Sequence, residues 1–109
     1  MRRRPVLRGG DLQKSIIDLA HTHSWKCAHF TAVQDIRGVW RTPAKADGKG
    51  FLDLVLVRER LIMAEIKGDG DRLKPEQEQW IEWLTAAGVE NYVWHPAEWF
   101  DGTIDRILK

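Results

Sequence analysis

The chain has 109 residues, 43% hydrophobic and 30% charged, with a formal net charge of +1. This is the balance of one globular domain, too small for separate catalytic and binding domains, with disorder confined to ends and loops. The near-neutral total carries no global basic signal, so any nucleic-acid affinity must come from local clustering of the seventeen Lys and Arg residues.

Cys27 is the only cysteine, which excludes an internal disulfide and fits a buried small residue in a reducing compartment. No apolar run follows the basic start Met1-Arg2-Arg3-Arg4-Pro5 as a signal segment would require, and no stretch reaches transmembrane length. A cytoplasmic protein without a membrane partner is expected.

Residues 1–10 carry four arginines and end in Gly9-Gly10, which reads as a mobile basic arm of the kind that touches phosphates. The domain proper is expected over 11–109. From Asp11 to about His23, Leu12, Ile16, Leu19 and Ala20 recur at helical spacing, and Asp11 favours the helix N-terminus. His21 and His23 point to different sides of such a helix, which argues against a zinc pair. Trp25 to Ala32 reads as the first strand, with His29 a candidate to line a cleft. From Gln34 to Gly50 periodicity disappears. Arg37, Arg41, Lys45 and Lys49 surround Trp40 there, which reads as a long functional loop offering phosphate contacts and a ring for an unpaired base. The other tryptophans are expected mostly in the core.

Two apolar runs follow, Phe51 to Val57 and Leu61 to Lys67, separated by Arg58-Glu59-Arg60. They read as a β-hairpin. A three-residue loop pairs Val57 with Leu61, and counting back along both strands sets Asp53 opposite Glu65, with Cβ atoms about 4.5–5.5 Å apart. Lys67 falls on the same face because side chains alternate. Opposed carboxylates repel, so the pair needs a proton or a cation between them. Hard oxygen ligands favour Mg2+ or Mn2+. A two-residue loop would instead send the acids to opposite faces, and a hairpin with both acids toward solvent would need no metal.

After Gly68-Asp69-Gly70-Asp71 breaks the strand, a helix is expected from Pro75 to Ala87. Gly88 is its stop, and Gln77, Trp80, Ile81 and Leu84 share its inner face. Lys74 stands where a Ser or Thr cap would be expected before Pro75. Asn91 to Trp94 reads as a short strand ended by His95-Pro96, and Thr103 to Leu108 as a terminal helix. The order α-β-β-β-α-β-α is that of an α/β fold, a mixed β-sheet with helices packed on it.

Asp53, Glu65-Ile66-Lys67 and Leu73 to Trp80 together resemble the VRR-NUC domains of the PD-(D/E)xK nuclease superfamily. The resemblance spans roughly residues 11–109. It is strongest where Gly50-Phe51-Leu52-Asp53-Leu54, Ala64-Glu65-Ile66-Lys67, Pro75-Glu76-Gln77 and Ala87-Gly88 through Tyr92-Val93-Trp94 follow the family order. It implies a restriction-endonuclease-like fold and metal-dependent hydrolysis of DNA phosphodiester bonds. Asp53, Glu65 and the Ile66 carbonyl would hold Mg2+ or Mn2+. Lys67 would orient the water, and Gln77 would hydrogen-bond the water or the phosphate.

Two departures stand out. Family members commonly carry a metal-site Glu at the start of helix one, where this chain has Asp11 as a shorter substitute. Leu52 replaces the proline usual before the first acid. Size and family together imply a homodimer acting on branched DNA, a four-way junction or a flap. A restriction or nicking enzyme and a catalytically silent nucleic-acid-binding module are the competing readings.

Overall fold

The computed structural model describes residues 4–30, 33–41 and 45–109, without the side chains of Val33 and Arg41. In chain order the elements are α1 (Gly9–Thr22), β1 (Lys26–His29), β2 (Val33–Gln34), β3 (Trp40–Arg41), β4 (Leu54–Val57), β5 (Leu61–Ile66), α2 (Pro75–Ala86), β6 (Asn91–Trp94), α3 (Pro96–Phe100) and α4 (Thr103–Leu108). Four strands form one sheet in the order β1-β4-β5-β6. The first three run antiparallel, and β6 joins β5 in parallel after the α2 crossover. The α/β fold read from the sequence is the fold of the chain.

β5 lies inside the sheet and is buried on both faces from Ile62 to Ile66. On one face, Leu54, Leu56, Ile62, Ala64, Ile66 and Trp94 pack against Leu12, Ile16 and Ala20 of α1 and Ile104 and Leu108 of α4. This is the core. Apolar burial here supplies most of the stability, at about 25 cal/mol per Å2 of surface removed from water. Trp25 closes one end by donating its indole N–H to the Leu108 carbonyl at 2.7 Å. The guanidinium groups of Arg58 and Arg60 lie over its ring, 4.5 and 5.3 Å from the centroid. Arg58 Nη1 also donates to the carbonyls of His23 and Leu108, so the hairpin tip holds the last turn of α4.

α1 includes Gly9 and Gly10, which were expected in the arm. The reason is a close approach: a Cβ on Gly68 would lie 2.5 Å from the Gly9 nitrogen, so the helix start docks on the chain leaving β5. The preceding residues are fastened to the same place. Arg4 grips Asp69 with two hydrogen bonds of 2.7 and 2.8 Å. The Leu7 N–H donates to the Asp69 carboxylate and the Asp69 N–H to the Leu7 carbonyl, both at 3.0 Å. Arg2 and Arg3 lie outside the described residues.

The segment expected to be a long loop contains the β2–β3 hairpin. Its turn is built by Asp35, whose Oδ1 accepts from the N–H groups of Arg37 and Val39, with Gly38 closing the turn. The first strand ends at His29, and Thr31 and Ala32 lie outside the described residues. α3 is an addition to the expected elements. His95-Pro96 ends β6 as read, but Pro96 also starts a helix, where its missing N–H costs nothing.

Helix α2 packs more loosely than α1. Glu76, Gln77, Trp80, Ile81 and Leu84 are half-buried along the expected inner face, and none of its residues is fully buried. Two contacts seat it on the chain before β4. Trp80 Nε1 donates to the carbonyls of Asp47 and Lys49, at 3.0 and 3.1 Å. Gly50 at φ +84° also runs so close to Glu76 that a Cβ would lie 2.6 Å from its carbonyl carbon and oxygen.

Candidate active site

The hairpin register is the one expected from the three-residue loop: Val57 pairs with Leu61, Leu56 with Ile62, Val55 with Met63 and Leu54 with Ala64. One step further, Asp53 stands across from Glu65. The two residues are tied reciprocally. The Asp53 backbone N–H donates to Glu65 Oε1 at 3.2 Å, and the Ile66 N–H donates to Asp53 Oδ2 at 2.8 Å. Where the strand ladder ends, the two carboxylates therefore take over its hydrogen bonds. Lys67 follows on the same face with Nζ 3.7 Å from Glu65 Oε2.

Burial sets the electrostatics. Glu65 is 1% exposed and Lys67 9% exposed. Withdrawal from water pushes the Glu65 carboxyl up to about 8, helped by its side-chain hydrogen bond and charge repulsion with Asp53 and opposed by Lys67. The pair thus holds a proton near neutral pH. Glu65 Oε2 is fully buried and makes no hydrogen bond among the described residues. A buried carboxylate oxygen with no hydrogen bond, facing the Lys67 ammonium at 3.7 Å beside a second acid, fits a hard divalent cation.

The other expected site residues divide. Gln77 sits in the first turn of α2, next to Glu76, against whose backbone the Gly50 segment leading into Asp53 runs. Its Oε1 accepts from the Lys74 N–H at 2.8 Å. Gln77 thereby closes the Lys74 N–H as the N3 residue of a capping box does, while Lys74 itself gives the helix no side-chain cap. Asp11 is exposed on the first turn of α1. No group of three or more His, Cys, Asp or Glu side chains that could hold a metal exists among the described residues. Arg37, Lys45 and Lys49 are exposed, and the Arg41 side chain lies outside the described residues.

His29 is corrected by register. It pairs with Leu54, and so projects to the opposite face from Asp53. The residue beside Asp53 is Phe30, whose N–H donates to the Asp53 carbonyl at 3.0 Å. Trp83 is a second correction, since it is 49% exposed rather than core. Both residues were visible as aromatics, but their exposure depends on partners the sequence does not specify.

A mixed sheet that brings an Asp and a Glu-x-Lys together across an antiparallel strand pair is the arrangement of a PD-(D/E)xK-type nuclease. The VRR-NUC domain model matches residues 8–98, and the chain belongs to that family, which is a family of nucleases acting on DNA. Comparison with curated proteins and with solved structures found no significant match. Among the described residues no helix is long and apolar enough to cross a membrane.

Proposed function

We propose that the chain is a metal-dependent DNA endonuclease that hydrolyses phosphodiester bonds in branched DNA, a four-way junction or a flap, as a homodimer. The observation that carries this reading is the Asp53, Glu65 and Lys67 cluster, whose buried Glu65 oxygen makes no hydrogen bond among the described residues. Asp53, Glu65 and the Ile66 carbonyl would hold Mg2+ or Mn2+. When bound, such an ion supplies Lewis-acid charge at the phosphate and acidifies a water.

The chain's own groups do the rest. The Ile66 N–H fixes the Asp53 carboxylate through Oδ2 beside Glu65. Lys67 Nζ offsets the carboxylate charge and would hold the attacking water and the developing negative charge on the phosphate. Gln77 keeps Oε1 on the helix cap and would turn Nε2 to the scissile phosphate. Cleavage of linear duplex, single-stranded, flap and junction DNA with Mg2+ or Mn2+ tests the reading. Cleavage of branched forms supports it, cutting of linear duplex at defined sequences favours a restriction or nicking enzyme, and binding without cleavage marks a silent module.

Two further outcomes follow. Replacing Arg37, Arg41, Lys45 and Lys49 should weaken binding to all sequences. The slope of log affinity against log salt should become shallower by ~0.9 for each duplex phosphate that is no longer neutralised. An unchanged slope would return these residues to a solvated surface. Asp11→Ala should cost about 0.3–1 kcal/mol of stability if the carboxylate only favours the helix N-terminus. If it instead reaches the ion in the loaded enzyme, the Mn2+ activation curve should shift to higher concentration. The exposed position of Asp11 favours the first result.

A further inference from the structure

The sheet face that carries Asp53 also begins a row of aromatic rings. Phe30 stands across from Asp53 and is 46% exposed. Its ring meets Phe51 edge-on at 5.8 Å, Phe51 meets Trp80 at 5.1 Å, and Trp80 meets Trp83 at 5.1 Å, each pair close to perpendicular. The middle of the row is fixed. Trp80 Nε1 is held by the Asp47 and Lys49 carbonyls, and Gly50 is pressed against the helix backbone. The two ends, Phe30 and Trp83, are half-exposed. Lys45 and Lys49 project to solvent from the same clamped loop.

In a continuous duplex the base faces are covered by stacked neighbours and reaching them costs a few kcal/mol of unstacking, so side-chain rings stack most readily where a base is unpaired. Duplex phosphates against Phe30 and Trp83 would gain little. Unpaired nucleotides would place their bases on the rings and their phosphates toward Lys45 and Lys49. A second copy of the chain covering Phe30 would crowd the approach to Asp53, which a working site keeps open. We propose that Phe30 and Trp83 form the open ends of a stacking surface for unpaired nucleotides. Cleavage then occurs beside a single-stranded stretch, as at a flap, rather than within continuous duplex. This rests on the nuclease reading above and narrows its substrate class.

The test uses the full chain without metal, so that binding is read apart from cleavage. Tryptophan fluorescence is titrated with an oligothymidine of about 12 nucleotides, and separately with a duplex of equal length. Oligothymidine should quench the emission, and Trp83→Phe should remove part of that quenching while retaining affinity. Phe30→Ala and Trp83→Ala should each lower oligothymidine affinity about tenfold, more than they lower duplex affinity, and Phe30→Tyr should restore it. With Mn2+ added, Phe30→Ala should lower the ratio of flap to duplex cleavage.

Equal reductions in affinity for both nucleic acids, or duplex binding with no oligothymidine quenching, would overturn the stacking surface and leave the nuclease reading standing. An emission shift that follows protein concentration rather than oligonucleotide would assign the rings to a second copy and overturn the proposal. Failure of the wild type to bind either nucleic acid would overturn both readings.

Discussion

Asp53→Asn and Glu65→Gln are each expected to abolish metal-dependent cleavage and, without metal, to leave the fold equally or more stable. Removing one of the two carboxylates removes several kcal/mol of charge stabilisation at the phosphate, equivalent to a rate loss of ~10^3-fold or more. The stability effect has the opposite sign because the acids oppose each other in the folded state. Glu65 is almost fully buried, repelled by Asp53, and has one oxygen without a hydrogen bond among the described residues. A Gln side chain keeps an acceptor for the Asp53 N–H and gains a donor toward the Asp53 carboxylate.

The same residue gives the metal-free protein a pH signature. The Glu65 carboxyl rises from an ordinary 4.5 to about 8 on folding. Between those values the folded chain binds a proton that the unfolded chain has released, so unfolding free energy falls as pH rises through the window. The contribution is full below about pH 4.5 and gone above about pH 8, amounting to a few kcal/mol at ~1.36 kcal/mol per unit. Urea denaturation in chelator at several pH values measures it. Glu65→Gln should flatten the curve, and Mg2+ or Mn2+ should raise the melting temperature of the wild type alone. A wild-type cleavage rate in either mutant would remove the acid pair from the chemistry.

The hairpin is readable from sequence because three signals agree: two apolar runs, a charged tripeptide too polar for the core, and acids spaced to share a face. Register then fixes Asp53 and Glu65 without further information. The face of the first strand is not readable in the same way, because Trp25 to Phe30 carries no alternation and its partner is distant in sequence. A shift of one residue exchanges His29 for Phe30 beside Asp53, and only the pairing with Leu54 decides it. The β2–β3 hairpin is hidden because two-residue strands have no period, although Asp35 and Gly38 supply sound turn chemistry. Lys74 does lack a capping side chain, and what the sequence pattern does not show is that Gln77, three residues further on, closes the Lys74 N–H instead. Trp83 looks like core because helical spacing gives the side of a helix, not how completely that side is covered.

Gly50→Ala should be the most damaging small substitution outside the acid pair. Two independent costs meet there. The residue sits at φ +84°, where a Cβ is disfavoured by roughly 1–2 kcal/mol. The added carbon would also lie 2.6 Å from the Glu76 carbonyl group, a backbone contact that cannot rotate away. Overpacking of that kind adds about 1–3 kcal/mol. Relief would require α2 to lift from the Lys49 to Phe51 segment, which would loosen the Trp80 hydrogen bonds and move Gln77 relative to Asp53. Gly70 provides the comparison, since it has nearly the same φ, +83°, with nothing within 4 Å of the added carbon. Gly70→Ala should therefore show the conformational cost alone. Urea denaturation of the two variants should separate them by about 1–3 kcal/mol, with Gly50→Ala also impaired in cleavage. Equal destabilisation would mean that α2 is free to move away from Gly50, and that the helix carrying Gln77 and Trp80 is not held in place by this contact.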